Sequence, residues 1–234
     1  MTHNPNYLVG ETMGGFGWRH FSSRPAGWWN PPPPGQFERE QLDWVRGRLL
    51  AFRPGRVLEI GIGRGRATPW LQHTWAYVGL EVNPRLLREA AKAVAGPLVL
   101  GSGTHLPFRD GAFDAVVAYD VFMHVFERES FLRECRRVLA PGGILVLNFL
   151  RRFSPGWRRY WIARAVHPRA MWAVRARRHD GRWAIARQLR AVGFACRFGR
   201  EQTSVPLVYA ERRPTLDIHG RHARRVTKMD IILS

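Results

Sequence analysis

The stretch RVLEIGIGRGRATPWL, from Arg56 to Leu71, constrains the fold of this chain more than any other segment. An apolar run is followed by three glycines at alternate positions, Gly61, Gly63 and Gly65, and then by a segment with a helical pattern. Glycine lets the backbone approach a ligand closely, and the beginning of a helix offers unsatisfied N–H groups. The stretch therefore predicts a strand, a turn that cradles a nucleotide-like ligand, and a helix.

Segments with strand and helix patterns alternate along the rest of the chain. The predicted helices are QFEREQLDWVRGRLLAF, RATPWLQH, PRLLREAAKAVA, RESFLRECRRVL and RWAIARQLRAVG. The predicted strands are RVLEIG, AYVGLEV, PLVLG, FDAVVAYD, GGILVLNF, FACRFG and PLVYAER. Mostly apolar strands that alternate with helices indicate a parallel sheet covered by helices on both faces.

The composition divides the chain into a domain and its appendages. Residues 1–35 are rich in Gly, Pro and Trp and predict an N-terminal arm or lid. Residues 36–212 form the predicted domain, interrupted at about 151–180 by an insert that mixes Arg with aromatic residues and predicts one or two amphipathic helices. Residues 213–234 have no clear period and predict a loose tail.

The spacing of the glycines distinguishes between two kinds of cofactor. A dinucleotide fingerprint needs its third glycine at position 66, where this chain has Arg66. The observed pattern E-x-G-x-G-x-G resembles the first motif of the class I S-adenosylmethionine-dependent methyltransferases. GSGTHLPFRDGAFDAVVAYD resembles the second signature of that family, and FLRECRRVLAPGGILVLNF resembles its following helix, turn and fifth strand.

The resemblance covers about residues 37–212 and is nearest to the type 11 group, which includes enzymes of ubiquinone and menaquinone biosynthesis. It implies an α/β, Rossmann-like fold with a seven-stranded, mostly parallel sheet, helices on both faces and an antiparallel closing strand. It also implies S-adenosylmethionine as the cofactor. No metal site is expected.

The resemblance assigns the cofactor contacts. It sets Glu59 and the first two glycines against the amino-acid part of the cofactor, Glu81 against the ribose hydroxyls, and the loop after the third strand against adenine. That loop has Ser102 where the family usually has aspartate, so we expect a weaker contact there, or only a turn role. Asp120 follows the fourth strand, where ligands sit in open α/β sheets, with a helix cap as the alternative. The expected cofactor residues are Glu59, Gly61, Gly63, Gly65, Glu81, Val82, Ser102, Gly103, Thr104, Asp120 and Val121.

Methyl transfer from a sulfonium needs alignment more than a nucleophilic side chain. A general base would still help a hydroxyl acceptor, and the candidates are His20, His105 and His124, with His124 preferred because it follows the fourth strand. A structural histidine is the commoner alternative for each. Aromatic and basic residues of the arm and the insert are candidates for acceptor binding, with simple packing as the alternative. They are Trp18, Arg19, Trp28, Trp157 and Trp161.

The net charge of +19 is concentrated in the C-terminal third, since residues 151–234 contain 20 basic and 5 acidic residues. Such a field attracts nucleic acid, anionic lipid or an anionic substrate. Only two of the 37 basic residues are Lys, so a compositional origin is an equal alternative. Our first hypothesis is a methyltransferase for a small or medium-sized organic acceptor, anionic or aromatic. The alternatives are an RNA methyltransferase, a methyltransferase acting at an anionic membrane surface, and a non-catalytic binding protein.

The cellular location is predicted from two weak signals. Two cysteines, Cys135 and Cys196, do not make a disulfide framework. The first residues lack a basic region followed by an apolar core, and no apolar run reaches the length of a membrane span. We therefore expect a cytoplasmic protein without a transmembrane segment, for which peripheral membrane contact remains open.

Overall fold

The structure is a computed structural model, and it describes residues 7–9, 35–72, 75–151, 179–198 and 207–212. The helices are α1 (Gln36–Phe52), α2 (Pro84–Ala90), α3 (Arg128–Val138) and α4 (Arg182–Ala191), with 3-10 segments at Thr68–Trp70 and Phe122–His124. The strands are β1 (Tyr7–Val9), β2 (Arg56–Ile60), β3 (Ala76–Glu81), β4 (Leu98–Leu100), β5 (Phe113–Ala118), β6 (Leu139–Asn148), β7 (Leu150–Arg151), β8 (His179–Asp180), β9 (Phe194–Phe198) and β10 (Leu207–Arg212).

The main sheet has the strand order β1-β4-β3-β2-β5-β6-β10-β9. Neighbouring strands are parallel except at β10, which is antiparallel to both β6 and β9. All seven predicted strands are present, and the predicted α/β class with its antiparallel closing strand is confirmed. The arm adds an eighth strand that the sequence did not predict, since β1 pairs in parallel with β4.

Two apolar cores lie on opposite faces of this sheet. Successive residues of β2 show the alternation, because Val57 belongs to one core and Leu58 to the other. Helices α1 and α2 cover the first face through residues such as Val45 and Leu87. Helices α3 and α4 cover the second through residues such as Phe131. The predicted cover of helices on both faces is therefore confirmed.

Helix α1 has the bounds that its sequence pattern predicts. Its apolar residues Leu42, Val45 and Leu49 are buried on one face. At its beginning, the Glu38 side chain accepts a hydrogen bond from the Gly35 backbone N–H at 3.0 Å. It ends at Phe52, and the following residue, Arg53, has a left-handed φ of 56°. Local capping and periodicity thus account for the whole element.

The helix predicted for RATPWLQH is wrong, because only Thr68–Trp70 forms a 3-10 segment there. Pro69 has no N–H to donate, which removes one bond of an α-helix. The flanking side chains bond to other elements, since Thr68 Oγ1 donates to Glu59 and Trp70 Nε1 donates to Asp43 of α1. These tertiary contacts favour a short turn at this place.

The described ends of the insert lie side by side. Strands β7 and β8 pair in parallel, with Leu150 opposite His179 and Arg151 opposite Asp180. The amphipathic helices expected within residues 152–178 lie outside the described residues, as do residues 213–234 and all of 1–34 except β1. Within the described part of the chain, no helix is both long enough and apolar enough to cross a membrane.

Candidate functional site

A pocket opens at the carboxyl ends of β2, β3, β4 and β5, as expected for a ligand site in an open α/β sheet. Ten of the eleven expected cofactor residues line it, and so does His124. Those ten are Glu59, Gly61, Gly63, Glu81, Val82, Ser102, Gly103, Thr104, Asp120 and Val121. The motifs that the sequence places far apart therefore meet in one cavity.

The glycine turn after β2 has a backbone that side chains would disturb. Gly61 has a φ of 72°, and a Cβ on it would lie 2.3 Å from Val121 Cγ2. Gly65, the eleventh expected residue, has a φ of 81° and lies outside the pocket lining. A Cβ on Gly65 would lie 2.8 Å from Val94 Cγ2. The absence of a side chain at Gly61 thus lets Val121 lie against the backbone in the pocket. The absence of one at Gly65 lets Val94 pack against the turn outside the pocket lining.

The side chain of Glu81 binds the glycine turn from the neighbouring strand. Its Oε2 accepts a hydrogen bond from Gly63 N at 2.8 Å, and its Oε1 accepts one from Asn83 N at 2.9 Å. In a turn that cradles phosphate, such an N–H faces the anion. Here a carboxylate takes the Gly63 N–H, and only a 3-10 segment follows the turn. The geometry therefore disfavours the pyrophosphate of a dinucleotide.

A second buried carboxylate, Glu59, lies at the end of β2. Its Oε2 accepts hydrogen bonds from Tyr77 Oη at 2.7 Å and from Thr68 Oγ1 at 3.0 Å. Burial raises the pKa of Glu59 from 4.5 to about 7, although these two hydrogen bonds act in the opposite direction. Burial also raises the pKa of Glu81. A ligand with hydroxyl groups and positive charge would compensate these carboxylates, while an anionic one would not.

The loop after β4 brings hydroxyl groups to the pocket. Ser102 Oγ and Thr104 Oγ1 are 2.8 Å apart, and Thr104 N donates to Ser102 Oγ at 3.3 Å. A Cβ on Gly103 would lie 2.6 Å from the Phe131 ring. Ser102 thus has a turn role and also lines the pocket. His105 lies outside the pocket lining, and its Nδ1 is 3.2 Å from Thr104 Oγ1. This position favours a structural histidine over a general base.

The turn after β5 carries Asp120 in a left-handed conformation, with a φ of 57°. Asp120 N donates to Asn148 Oδ1, and Asn148 Nδ2 donates to Asp120 Oδ1, both at 2.7 Å. The 3-10 segment that follows has Val121 at its N-cap position, without a side-chain bond from Val121. Beside Asp120, Tyr119 Oη donates to Gln41 Oε1 of α1 at 2.8 Å. His124 closes this side of the pocket.

Several lining residues were missed by the sequence reasoning. Arg64 and Arg66 alternate with the glycines of the turn, and Arg66 forms an ion pair with Glu38 of α1. In the sequence, Arg66 stands where a dinucleotide fingerprint needs glycine, and the basic residues that alternate with the glycines are a visible signal for a second role. The other lining residues that were not predicted are Leu42, Ile60, Ile62, Ala67, Leu80, Leu86, Gly101, Tyr119, Val125, Phe126, Glu127 and Phe131.

The acids of LPFRDGAFD have structural contacts. The Asp114 side chain accepts hydrogen bonds from Gly55 N at 3.0 Å and Arg56 N at 2.9 Å, at the beginning of β2. Asp110 pairs with Arg137 of α3 at 2.9 Å. Both acids lie at the amino ends of the strands, whereas the pocket lies at the carboxyl ends. This segment therefore holds the fold together, away from the pocket.

The expected acceptor residues Trp18, Arg19, Trp28, Trp157 and Trp161, and the candidate base His20, lie outside the described residues. The base of the insert is nevertheless near the pocket. Arg128, beside the lining residue Glu127, forms a buried ion pair with Asp180 of β8 at 2.6 Å. Among the described residues, no group of three or more His, Cys, Asp or Glu could hold a metal ion.

Comparison with known proteins agrees with this geometry. Residues 58–147 match the sequence family described as "Methyltransferase domain". Demethylmenaquinone methyltransferase of Thermotoga maritima is 33% identical over 120 residues, which are 48% of this chain and 50% of that protein. Demethylmenaquinone methyltransferase of Tropheryma whipplei is 36% identical over 140 residues, which are 56% and 58% of the two chains. The chain thus spans little more than half the length of these relatives.

A solved structure shows the same fold. Magnesium protoporphyrin IX methyltransferase from Synechocystis, with bound SAH, superposes with a TM-score of 0.59 at 18% identity. The superposition covers 84% of this chain and 93% of that one. The expected Rossmann-like fold is therefore shared with this structure.

Proposed function

We propose that this chain, in which residues 58–147 match the methyltransferase domain family, transfers a methyl group from S-adenosylmethionine to a small or medium-sized organic acceptor. The observation that carries the proposal is the pair of buried carboxylates at the glycine turn, with Glu81 bound to the Gly63 N–H. Such a site suits a cofactor with ribose hydroxyls, an ammonium group and a sulfonium. It does not suit a pyrophosphate.

The residues of the pocket fit distinct parts of this cofactor. Glu81 would accept hydrogen bonds from the ribose hydroxyls, and Ser102 would accept one from adenine. Glu59 and the backbone at Gly61 would hold the amino-acid end. When bound, S-adenosylmethionine supplies an activated methyl group, whose carbon bonds to the acceptor while the carbon–sulfur electron pair stays on sulfur. The main task of the chain is then to orient the acceptor and exclude water.

The proposal for the acceptor side extends beyond the described residues. We assign acceptor binding to Trp18, Arg19, Trp28, Trp157 and Trp161, with His124 or His20 as the base. The ion pair between Arg128 and Asp180 supports a role for the insert, because its base adjoins the pocket. Within this proposal, residues 1–35 are an arm, 36–212 the domain and 213–234 a tail.

The names of the relatives favour a small-molecule acceptor over the alternatives. Two relatives are named for demethylmenaquinone and the solved structure for magnesium protoporphyrin IX. None of the three is named for RNA or for a membrane surface. The free thiols of Cys135 and Cys196 support a cytoplasmic location, which we propose as well.

Cofactor binding is tested by titration calorimetry with S-adenosylhomocysteine. We expect the natural chain to bind, and Glu81→Gln to weaken binding by about tenfold, because the amide offers only one acceptor oxygen. Glu89→Gln is the matched control, since Glu89 lies outside the pocket lining and forms an ion pair with Lys92 one turn along. Binding of a nicotinamide dinucleotide in place of S-adenosylhomocysteine would overturn the proposal.

The acceptor is sought by incubating the chain with tritium-labelled S-adenosylmethionine and either fractionated metabolites or RNA. Label in a metabolite fraction is the expected result. Label in RNA alone would replace the small-molecule acceptor by a nucleic acid.

A further inference from the structure

The turn after β5 is held by three different elements. Tyr119 donates its hydroxyl proton to Gln41 of α1, and Asp120 exchanges two hydrogen bonds with Asn148 of β6. Val121 packs on the backbone of Gly61, where no Cβ would fit. Three successive pocket residues, Tyr119, Asp120 and Val121, thus contact α1, β6 and the glycine turn respectively. These contacts with three elements restrict the conformation of the turn.

Asp120 has a conformation that an aspartate adopts at some cost. A φ of 57° lies in the left-handed region, which is uncommon for residues other than glycine. Such conformations persist where the surrounding structure imposes them, often at functional sites. Asn148 is the group that imposes it here, because it is fully buried and bonds both the backbone and the side chain of Asp120.

The strand order places Asp120 at one end of the pocket. The residues assigned above to parts of the cofactor are Glu59, Gly61, Glu81 and Ser102, which lie at the ends of β2, β3 and β4 or in the turns after them, and these strands are successive neighbours in the sheet. Asp120 follows β5, the next strand in that row, together with His124 beyond it. The far end of the row is therefore the side that remains for the acceptor.

We propose that Asn148 is a positioning residue that holds the Asp120 carboxylate at the acceptor end of the pocket. There Asp120 accepts a hydrogen bond from the O–H or N–H group that receives the methyl group. The inference rests on the proposed function and narrows it to acceptors that carry such a proton. It assigns Asn148 no contact with the acceptor itself.

Three variants separate geometry from charge. Asp120→Asn keeps both hydrogen bonds and the left-handed turn, which Asn tolerates, and removes only the charge. Asn148→Ala keeps the charge and removes both bonds. The double variant Asp120→Asn/Asn148→Asp keeps two hydrogen bonds and the net charge but moves the carboxylate from the pocket to the buried position. Asp114→Asn is the control, since Asp114 bonds backbone N–H groups at the opposite edge of the sheet.

The measurements are the melting temperature, the Kd for S-adenosylhomocysteine, and kcat/KM for label transfer to the acceptor fraction. We expect all three site variants to keep that Kd within about threefold and to lose transfer by about tenfold or more. The double variant is expected to regain the melting temperature without regaining transfer. Asp114→Asn is expected to lower the melting temperature and leave kcat/KM unchanged.

Two results would overturn the inference. Recovery of transfer in the double variant would show that the pair is only structural. Full transfer by Asn148→Ala would show that Asn148 positions nothing, and if this variant does not fold, the double variant decides. Failure of the natural chain to bind S-adenosylhomocysteine is a different result, because it refutes the proposed function itself.

Discussion

The ionisation of Glu59 links the chemistry of the pocket to pH. Burial raises its pKa to about 7, so about half of the Glu59 side chains are protonated near neutral pH in the empty protein. The ammonium group of S-adenosylhomocysteine would favour the charged form. We therefore expect binding at pH 7 to release about half a proton and affinity to rise between about pH 6 and 8. Calorimetry in two buffers of different ionisation enthalpy measures the released proton.

The matched variant for this titration is Glu59→Gln, which should abolish the proton release. Because the folded pKa of Glu59 lies above its ordinary value of 4.5, its contribution to the free energy of unfolding is fully present below pH 4.5. It is lost as pH rises through about 7. The variant should lack this part of the pH dependence and keep the part due to Glu81. Equal binding heats in both buffers for the natural chain would contradict the prediction.

Gly61 is expected to tolerate no side chain. In Gly61→Ala the new Cβ would meet Val121 Cγ2 at 2.3 Å in a left-handed backbone, and we expect a loss of about 2 kcal/mol or more in the free energy of unfolding. Urea denaturation checks this value. Gly47→Ala is the control, because Gly47 lies in α1 with no heavy atom within 4 Å of its Cβ position, and should be slightly stabilised. Equal stability of the two variants would refute the close contact.

Single residues of the site were predictable where a short motif marks them, and their partners were not. The glycine turn and Glu81 follow from local spacing. The hydrogen bond between Tyr119 and Gln41 joins residues 78 positions apart, and no pattern in either segment predicts it. The hydrogen bonds of Asn148 were not predictable either, because in the sequence Asn148 is only a polar residue at the end of an apolar strand. Contacts between distant elements carry no periodic signal.

At the scale of elements, Arg137 of α3 bonds to the LPFRDG segment and holds it against the helix. Its guanidinium donates to the carbonyl oxygens of Leu106 and Phe108 and to the carboxylates of Asp110 and Glu134. We expect Arg137→Ala to lower the free energy of unfolding by about 2 kcal/mol, because two partly buried carbonyls and two acids lose a charged donor. Denaturation by urea measures the change.

The control for Arg137 lies one turn earlier in the same helix. Arg133 is exposed and pairs with Glu129 across one turn, so Arg133→Ala should change the free energy of unfolding by only about 0.5 kcal/mol. Both variants should bind S-adenosylhomocysteine with the affinity of the natural chain, since neither residue lines the pocket. A similar loss of unfolding free energy in both variants would show that the effect comes from the helix itself and not from the bonds between Arg137 and the LPFRDG segment.

Elements were predictable in proportion to their length and periodicity. Helix α1 has a clear apolar face and a cap at Gly35, and its predicted bounds are confirmed. The helix predicted after the glycine turn is wrong because Thr68 and Trp70 bond to other elements. Strand β1 could not be predicted, since three residues in a Gly- and Pro-rich arm have too few positions to show a period.

At the scale of the whole molecule, the residues proposed for the cofactor and most of those proposed for the acceptor lie in different parts of the chain. The pocket residues assigned above to parts of the cofactor lie between Glu59 and Ser102, within the matched family segment. The aromatic and basic residues proposed for acceptor binding lie in the arm and the insert, while Asp120 and His124 lie at the acceptor end of the pocket. The arm contacts the sheet through β1, three residues paired to β4 at the edge, whereas the cap of α1 needs only Gly35. The two tasks should therefore be separable by truncation.

Removal of residues 1–34 tests this division. We expect the shortened chain to fold and to bind S-adenosylhomocysteine within about threefold of the natural affinity, because Gly35 still begins α1 and the pocket lining is intact. We expect label transfer to the acceptor fraction to fall by about tenfold or more, because Trp18, Arg19 and Trp28 are lost. Removal of residues 213–234, to which no site residue is assigned, is the control and should leave both quantities unchanged. Loss of S-adenosylhomocysteine binding on removal of the arm would place the arm in the cofactor site, and unchanged transfer would exclude it from acceptor binding.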